Sequence, residues 1–523
     1  MNRLLKSVVV GLAGIQGITL AAESRPKLVV GIIVDQLRTD YLEDLKGMLG
    51  AGGFQRLIDQ GLYLKDVDFV VPPTDAAAST AIIQTGTFPR YNGISGNKIY
   101  NPSSKTLIPV FNDEAYIGNF TSETYSPAAL RVATITDALS VEDKGKSKIH
   151  SIAPDAAQAI VLAGHTGQSA FWVNDETGRW SSTTYYPNPP SVLQNRNYNN
   201  PLVARLDTIK WTPLRKGEPY PFVNSAEIKD GFKYSFSRSD RDLFSQYKSS
   251  PYVNSDITEA AIDYLTELNI GKNEGQTDVL NIAYSLSPFT LAGAEYRYEL
   301  EDAYLRLDRD LEKLFNTLDK TAGKENVLVY LVSTGYFEEP EIDNTEYRIP
   351  GGTFSVKRAT SLLNAYLAAK YGNGAFVDHY AEGKLFLDKN TLEEKDLNLT
   401  NVAQEARDFL VKMSGVADAY TLADLTGATL PKLEAQRLAI DPKTSADIFL
   451  EFNPGWSVVD DTRFPATKLT EKSTAYKTPG FILGKDIEKK VVEEPVKATA
   501  IAPTIAGALR IRSPNSSESK SIL

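Results

Sequence analysis

The chain has 523 residues, with 56 Lys and Arg against 66 Asp and Glu, a formal charge of −10, 42% hydrophobic residues and no cysteine. This length can bury a large core and corresponds to about two to four domains of ordinary size. The acidic balance, without any lysine- or arginine-rich run, disfavours nucleic acid as a partner, because a phosphate backbone needs a basic face. The lack of cysteine excludes disulfides and lipid attachment through a thiol.

The N-terminus, MNRLLKSVVVGLAGIQGITLAAES, has the form of a secretory signal. Arg3 and Lys6 supply the positive end, Ser7 to Leu20 the apolar stretch, and Ala21–Ala22 the small-residue cleavage site. Gln16 and three glycines interrupt the run, which falls short of the roughly 20 apolar residues a membrane span needs. Residues 1–22 are therefore expected to be a signal peptide and residues 23–523 an exported protein without a transmembrane segment. The expected location is the periplasm or outer surface of a Gram-negative-type envelope.

Lys27 to Asp35, KLVVGIIVD, is an apolar run ending in a carboxylate. That pattern predicts a central parallel strand with Asp35 at its carboxyl end, where α/β sheets place ligands. Asp40 to Gln60 reads as helix and Gly61 to Val71 as strand. The stretch VVPPTDAAASTAIIQTGTFPRYNGISGN, Val70 to Asn97, reads as strand end, loop, a helix from Ala76 to Gln84, and a turn. Beyond Asn97 the chain is richer in Tyr, Asn, Pro and Ser, with a helix predicted in Ser126 to Ser140. Tyr185 to Phe244 has few periodic stretches, and the whole interval of about 97–250 is expected to carry an inserted cap. Regular order resumes with a helix at Ile257 to Leu268, a strand at Asp278 to Ser285, a strongly amphipathic helix at Glu299 to Leu318 and a strand at Val327 to Ser333. Helices over Ser355 to Lys370 and Asn401 to Met413, strands near Asp447 to Phe452 and Thr478 to Leu483, and a final helix complete the reading. The alternation predicts an α/β fold with a mostly parallel central sheet and helices on both faces.

The frame PPT…TG…P…NGI…GN resembles the nucleophile loop of the alkaline phosphatase superfamily, in its nucleotide pyrophosphatase/phosphodiesterase branch and the phosphate-irrepressible alkaline phosphatases. The resemblance extends through IVDQ around Asp35, AGHTGQSAFWVNDETGRW, EDAYLRLDRDLEKL, NPGW and the IAPTIAGALRI…PNSS ending, from about Pro26 to Leu523. It implies a Thr or Ser nucleophile and two zinc ions held by three Asp and three His, a donor set that zinc prefers. In that frame the nucleophile falls ten residues before Gly86, at Ala76, which has no hydroxyl. Of the six ligand positions only Asp35 is an acid. Phe289 and Gly293 stand in the DxxxH pattern, Tyr336 and Phe337 in the DH pair, and Lys477 at the last His. The Lys and Arg that contact phosphate in monoesterases align with Asp155 and Ala157, while Asn97 matches a phosphate-contacting amide and is equally a turn residue after Gly96. The three histidines, His150 in the inserted region, His165 in the AGH element and His379 in a helical context, are expected to be structural.

Three functions follow as expectations. The first is a catalytically inactive, exported relative that binds no cofactor and has a binding or scaffolding role with a protein partner in the envelope. The second is an active metal-dependent phosphomonoesterase or phosphodiesterase with a remodelled site. There Thr74, Asp75, Ser79 or Thr80 would act through a slipped register, and zinc, or a magnesium ion held by Asp35, Glu338 and Glu339, would assist. The third is a ligand sensor or carbohydrate-binding module that uses the old cleft.

Overall fold

The computed structural model describes residues 25–187, 189–223, 229–240, 242–289, 291, 297–338, 351–427, 430–462 and 465–523. The expected signal, residues 1–22, lies outside the described residues, as do Gly293 and Glu339. No described helix is long and apolar enough to cross a membrane.

A ten-stranded sheet forms the centre. Its middle five strands are parallel, in the order Val327–Ser333, Leu28–Asp35, Asp278–Ser285, Ile149–Ala153, Ser169–Val173. Antiparallel strands flank them: Gly480–Leu483 on one side and Trp180–Thr183 on the other. Leu28–Asp35 lies within the parallel block and every residue in it is buried. Its side chains alternate between two cores, as a strand's period of two requires. Leu28, Val30, Ile32 and Val34 face the helices Pro251–Glu267 and Arg297–Thr321. Val29 and Ile33 face Ala76–Thr85, Ala156–Ala163 and Ile501–Ala508. At Gly31 a Cβ would lie 2.3 Å from both Asn281 Oδ1 and the Tyr330 hydroxyl. The missing side chain leaves room for a buried hydrogen-bonded row, in which Gln84 Nε2 donates to Tyr330 at 2.8 Å and Tyr330 donates to Asn281 at 3.3 Å. The parallel strands bring Asp35, Ala153, Ser285 and Ser333 to one edge of the sheet.

Several expectations change. The helix expected over Asp40 to Gln60 is two short helices, Thr39–Asp44 and Phe54–Gln60, separated by the glycines of GMLGAGG. The cap of about 97–250 is not one insertion, because Ile149–Ala153, Ser169–Val173 and Trp180–Thr183 inside it belong to the main sheet. His150 therefore sits in a central strand and not in inserted chain. The covering segment is the part after Thr183. It holds to the long helix Arg297–Thr321 through acids: Trp211 Nε1 at 2.7 Å and the Leu214 amide at 2.5 Å both donate to Asp302, the Phe222 amide to Glu301 at 2.7 Å, and the Tyr234 hydroxyl to Glu299 at 2.7 Å.

Residues 351–462 build a second, smaller layer. Val377–Ala381, Lys384–Leu387, Ile448–Phe452 and Val416–Thr421 form an antiparallel sheet in that order. The helices Val356–Tyr371 and Leu399–Leu410 cover it around their own core of Leu363, Leu367, Leu385, Val402 and Ile448. His379, expected in a helix, lies in the first of these strands.

Candidate functional site at the carboxyl edge of the sheet

Asp35 ends the opening strand and is 8% exposed. Its Oδ1 accepts a hydrogen bond from Thr334 Oγ1 at 2.8 Å, and Thr334 Oγ1 in turn accepts the Gln36 amide at 2.9 Å. Gln36 takes a left-handed backbone, φ 61°, and its Oε1 accepts the Glu338 amide at 2.9 Å. A non-glycine residue in that region is strained and typical of site edges. Tyr336 is buried and its phenol hydrogen-bonds to Asp35. Burial pushes the Asp35 carboxyl up to about 6, against the smaller pull of Thr334, Tyr336 and the charge of Lys472.

Lys472 is the unexpected member of this group. Its strand, Lys472–Ser473, pairs antiparallel with Phe337–Glu338 and sets Lys472 opposite Glu338. The Lys472 ammonium donates to the Thr74 carbonyl at 3.0 Å and lies 5.2 Å from the Tyr336 ring centroid. Its charge pulls down the carboxyls of both Asp35 and Glu338, each of which burial raises. A tethered cation thus serves the acids around which dications would gather. Nothing in the local sequence, LTEKSTAYK, marks this lysine out, because its place is set by a strand pairing that joins residues more than 130 apart.

The loop helix Ala76–Thr85 begins close by. Asp75 caps it, accepting the Ala78 amide at 3.1 Å on Oδ1, while Oδ2 accepts the Asn97 amide at 2.6 Å. The helix N-terminus, the position suited to an anion, already holds a carboxylate. Ala76 is the first helical residue and is buried. The hydroxyls around it are engaged: Thr74 Oγ1 with Ser79 Oγ at 3.1 Å, and Thr80 Oγ1 with the Ala76 carbonyl at 2.6 Å. Asn97 is exposed, and its backbone amide makes the contact with Asp75.

The other positions do not converge on Asp35 as donors. Phe289 is buried against Trp211 and Tyr234, each at 4.8 Å between centroids. The crevice beside it, lined by Ser285, Ser287 and Trp211, has no room for a water molecule. Phe337 lies under the Arg38 guanidinium at 4.7 Å, with Tyr476 on the same cation at 3.4 Å and Tyr41 at 4.8 Å. Lys477 is exposed, and its carbonyl accepts the Thr39 amide at 2.9 Å. Asp155 pairs with Lys248, which also reaches Asp175 at 2.6 Å.

The histidines lie elsewhere. His150 Nδ1 bonds Ser169 Oγ at 2.9 Å, and burial pulls its ring down to about 3. His165 sits between Asp137 at 2.8 Å and the Leu130 carbonyl at 2.9 Å, its basicity raised first by Asp137. His379 stacks on Tyr100. Among the described residues no group of three or more His, Cys, Asp or Glu side chains is placed to hold a metal ion. Two zinc ions do not fit this donor set: among the described residues Asp35 and Glu338 have no histidine beside them, too few donors for two ions that each need about three or four, and the Lys472 ammonium offsets part of the charge that would attract them.

Comparison with known proteins identifies the relatives. The model of the type I phosphodiesterase / nucleotide pyrophosphatase family matches residues 29–478. The chain is 30% identical over 521 residues to alkaline phosphatase PhoV of Synechococcus elongatus, covering 95% of this chain and 92% of that one. It is 28% identical over 565 residues to alkaline phosphatase PafA of Elizabethkingia meningoseptica, covering 98% and 97%. The crystal structure of PafA superposes with a TM-score of 0.81 at 27% identity over 95% of this chain and 98% of that one.

Proposed function

This chain belongs to the type I phosphodiesterase / nucleotide pyrophosphatase family, and within that family we propose that it is a non-hydrolysing member that keeps the fold for binding. The observation that carries this reading is Lys472, whose ammonium lies against the Thr74 carbonyl and the Tyr336 ring and lowers the carboxyls of Asp35 and Glu338. The site then contains its own cation, and in Asp75 its own anion at the helix N-terminus. Aromatic burial at Phe289, Tyr336 and Phe337 supports the same reading, since such side chains stabilise a closed interior and ligate no zinc. With no hydroxyl at Ala76 and no two-zinc ligand set among the described residues, the family's route to phosphoryl transfer would lack its nucleophile and the ions that activate it. The signal-like N-terminus supports an exported protein of the cell envelope. The covering segment after Thr183 is the surface on which we place a protein partner.

The test is zinc analysis of the purified protein together with phosphomonoester and phosphodiester hydrolysis assays. The expected result is substoichiometric metal and turnover at the level of a buffer blank. Two equivalents of zinc with turnover that co-purifies would establish an active enzyme like the relatives that are named alkaline phosphatases. Ala76→Thr alone is expected to restore nothing, because the ligand positions remain Phe289, Tyr336, Phe337 and Lys477.

A further inference from the structure

A second cavity shares no lining residue with the group around Asp35. A cavity of about 310 Å³ opens between the hairpin of Lys98–Asn101 and Thr106–Pro109 and the four-stranded sheet of the smaller layer. That volume is at the lower end for small-molecule sites, which run from about 300 to 1,000 Å³. Tyr100 and Phe386 form its apolar wall, with ring centroids 4.3 Å apart.

The walls are pinned by contacts of their own. The Tyr100 hydroxyl donates to Asp378, and Lys105 spans Asp378 at 2.9 Å and Asp388 at 2.6 Å. Asp447 is buried and accepts the Leu387 amide at 2.8 Å, burial raising its carboxyl. The acids that line the cavity are therefore each engaged by the protein: Asp378 and Asp388 by Lys105 and Asp447 by the Leu387 amide. Lys389 and Lys443 both line the cavity, both are exposed, and neither has a carboxylate within ion-pair distance among the described residues, although the charge of Lys389 acts on Asp447. An aromatic wall beside two exposed ammonium groups outside any ion pair combines area for a ring with charge for an anion.

We propose that this cavity binds a small ring-bearing organic anion, a ring against Tyr100 and Phe386 and the anionic group facing Lys389 and Lys443. A neutral ring loses the charge-assisted contacts, and a bare inorganic anion loses the apolar burial. A nucleoside monophosphate and an acidic monosaccharide both supply this chemistry, one with a flat ring and one with a saturated ring.

Titration calorimetry of the purified protein with AMP, glucuronate, adenosine, glucose and inorganic phosphate separates these cases. At least one ring-bearing anion is expected to bind with submillimolar affinity, and at least tenfold more tightly than its neutral counterpart or phosphate. Lys389→Ala and Lys443→Ala, both surface changes, should each weaken it about tenfold, the value of one charge-assisted hydrogen bond. Asp35→Asn should leave it unchanged, so the result does not depend on whether the Asp35 site is active. Binding of AMP alone assigns a flat ring and binding of glucuronate alone a saturated one. No binding by either, equal binding of phosphate, or lysine variants with unaltered affinity would overturn the proposal.

Discussion

Removing water from a carboxylate makes its proton harder to release, and Asp35 shows the effect at the edge of the sheet. Its carboxyl is raised from 3.8 to about 6 by burial, so the fold prefers the neutral acid. The sign of the linkage follows. The stability that this preference provides is complete below pH 3.8, where the unfolded chain is also protonated, and is lost as pH rises to about 6. Above that it is a constant penalty of roughly 3 kcal/mol. Asp35→Asn should therefore raise stability above pH 6 by roughly 1–3 kcal/mol and flatten the pH dependence between pH 4 and 6, as measured by urea denaturation. Lys472→Met removes the charge that moderates this burial and should destabilise at pH 7 by roughly 1–3 kcal/mol. If the ammonium acts on Asp35, the loss shrinks when Asp35 is already Asn, and the double-mutant cycle reads the coupling directly. Simple additivity would show that Lys472 does not stabilise through Asp35. Asp35 was legible in the sequence because an apolar run ends in it. Lys472 was not, because its partner strand is Phe337–Glu338, and two-residue strands leave no periodicity to read.

The long helix Arg297–Thr321 shows how one element was readable in outline but not in what it holds. Leu300, Leu307, Leu311, Leu314 and Leu318 fall at helical spacing and are all buried, which predicted the helix. The acids were expected on the solvent side, yet Glu301, Asp302 and Asp308 are buried as well. Asp302 receives Trp211 Nε1, the Leu214 amide, the Tyr220 hydroxyl and Arg306, and Asp308 receives the amides of Gly50 and Phe54. The row of acids fastens the covering segment and the break between the two short N-terminal helices to this helix. Such a use is invisible to a hydrophobicity pattern, which counts every acid as solvent-facing. Asp302→Ala should leave those donors buried without an acceptor and destabilise by roughly 3–5 kcal/mol. It should also expose the Trp211–Tyr220 region to limited proteolysis before the rest of the chain. The strands Val377–Ala381, Lys384–Leu387 and Val416–Thr421 escaped the sequence reading for another reason. They are short, and polar residues such as Asp378, His379 and Asp418 interrupt their alternation.

At the scale of the molecule, the question is what keeps the smaller layer in register with the sheet that carries Asp35. Its own core of Leu363, Leu385 and Ile448 is separate from the two cores of the main sheet, and the junction combines apolar contacts, Leu438 and Ala439 on one main-sheet core and Tyr100 against Phe386 and Ala446, with polar ones. Two of them are electrostatic. Lys105 reaches across to Asp378 and Asp388, and Arg131 forms a bidentate pair with Asp441 at 2.8 and 2.6 Å. The Asp441 side chain is fully buried, while Arg131 is one-third exposed. Removing the arginine leaves a buried acid without its counter-charge, and removing both partners leaves no such charge. Arg131→Ala should then cost roughly 2–3 kcal/mol, and the double change to Ala at Arg131 and Asp441 clearly less than the sum of the two single changes. Because the pair joins two separately cored layers, the loss should appear as earlier unfolding of residues 351–462. Hydrogen exchange would report this as faster opening of Leu385 and Ile448 while the amides of Leu28–Asp35 keep their protection. Uniform loss of protection in both layers would show instead that they unfold as one cooperative unit.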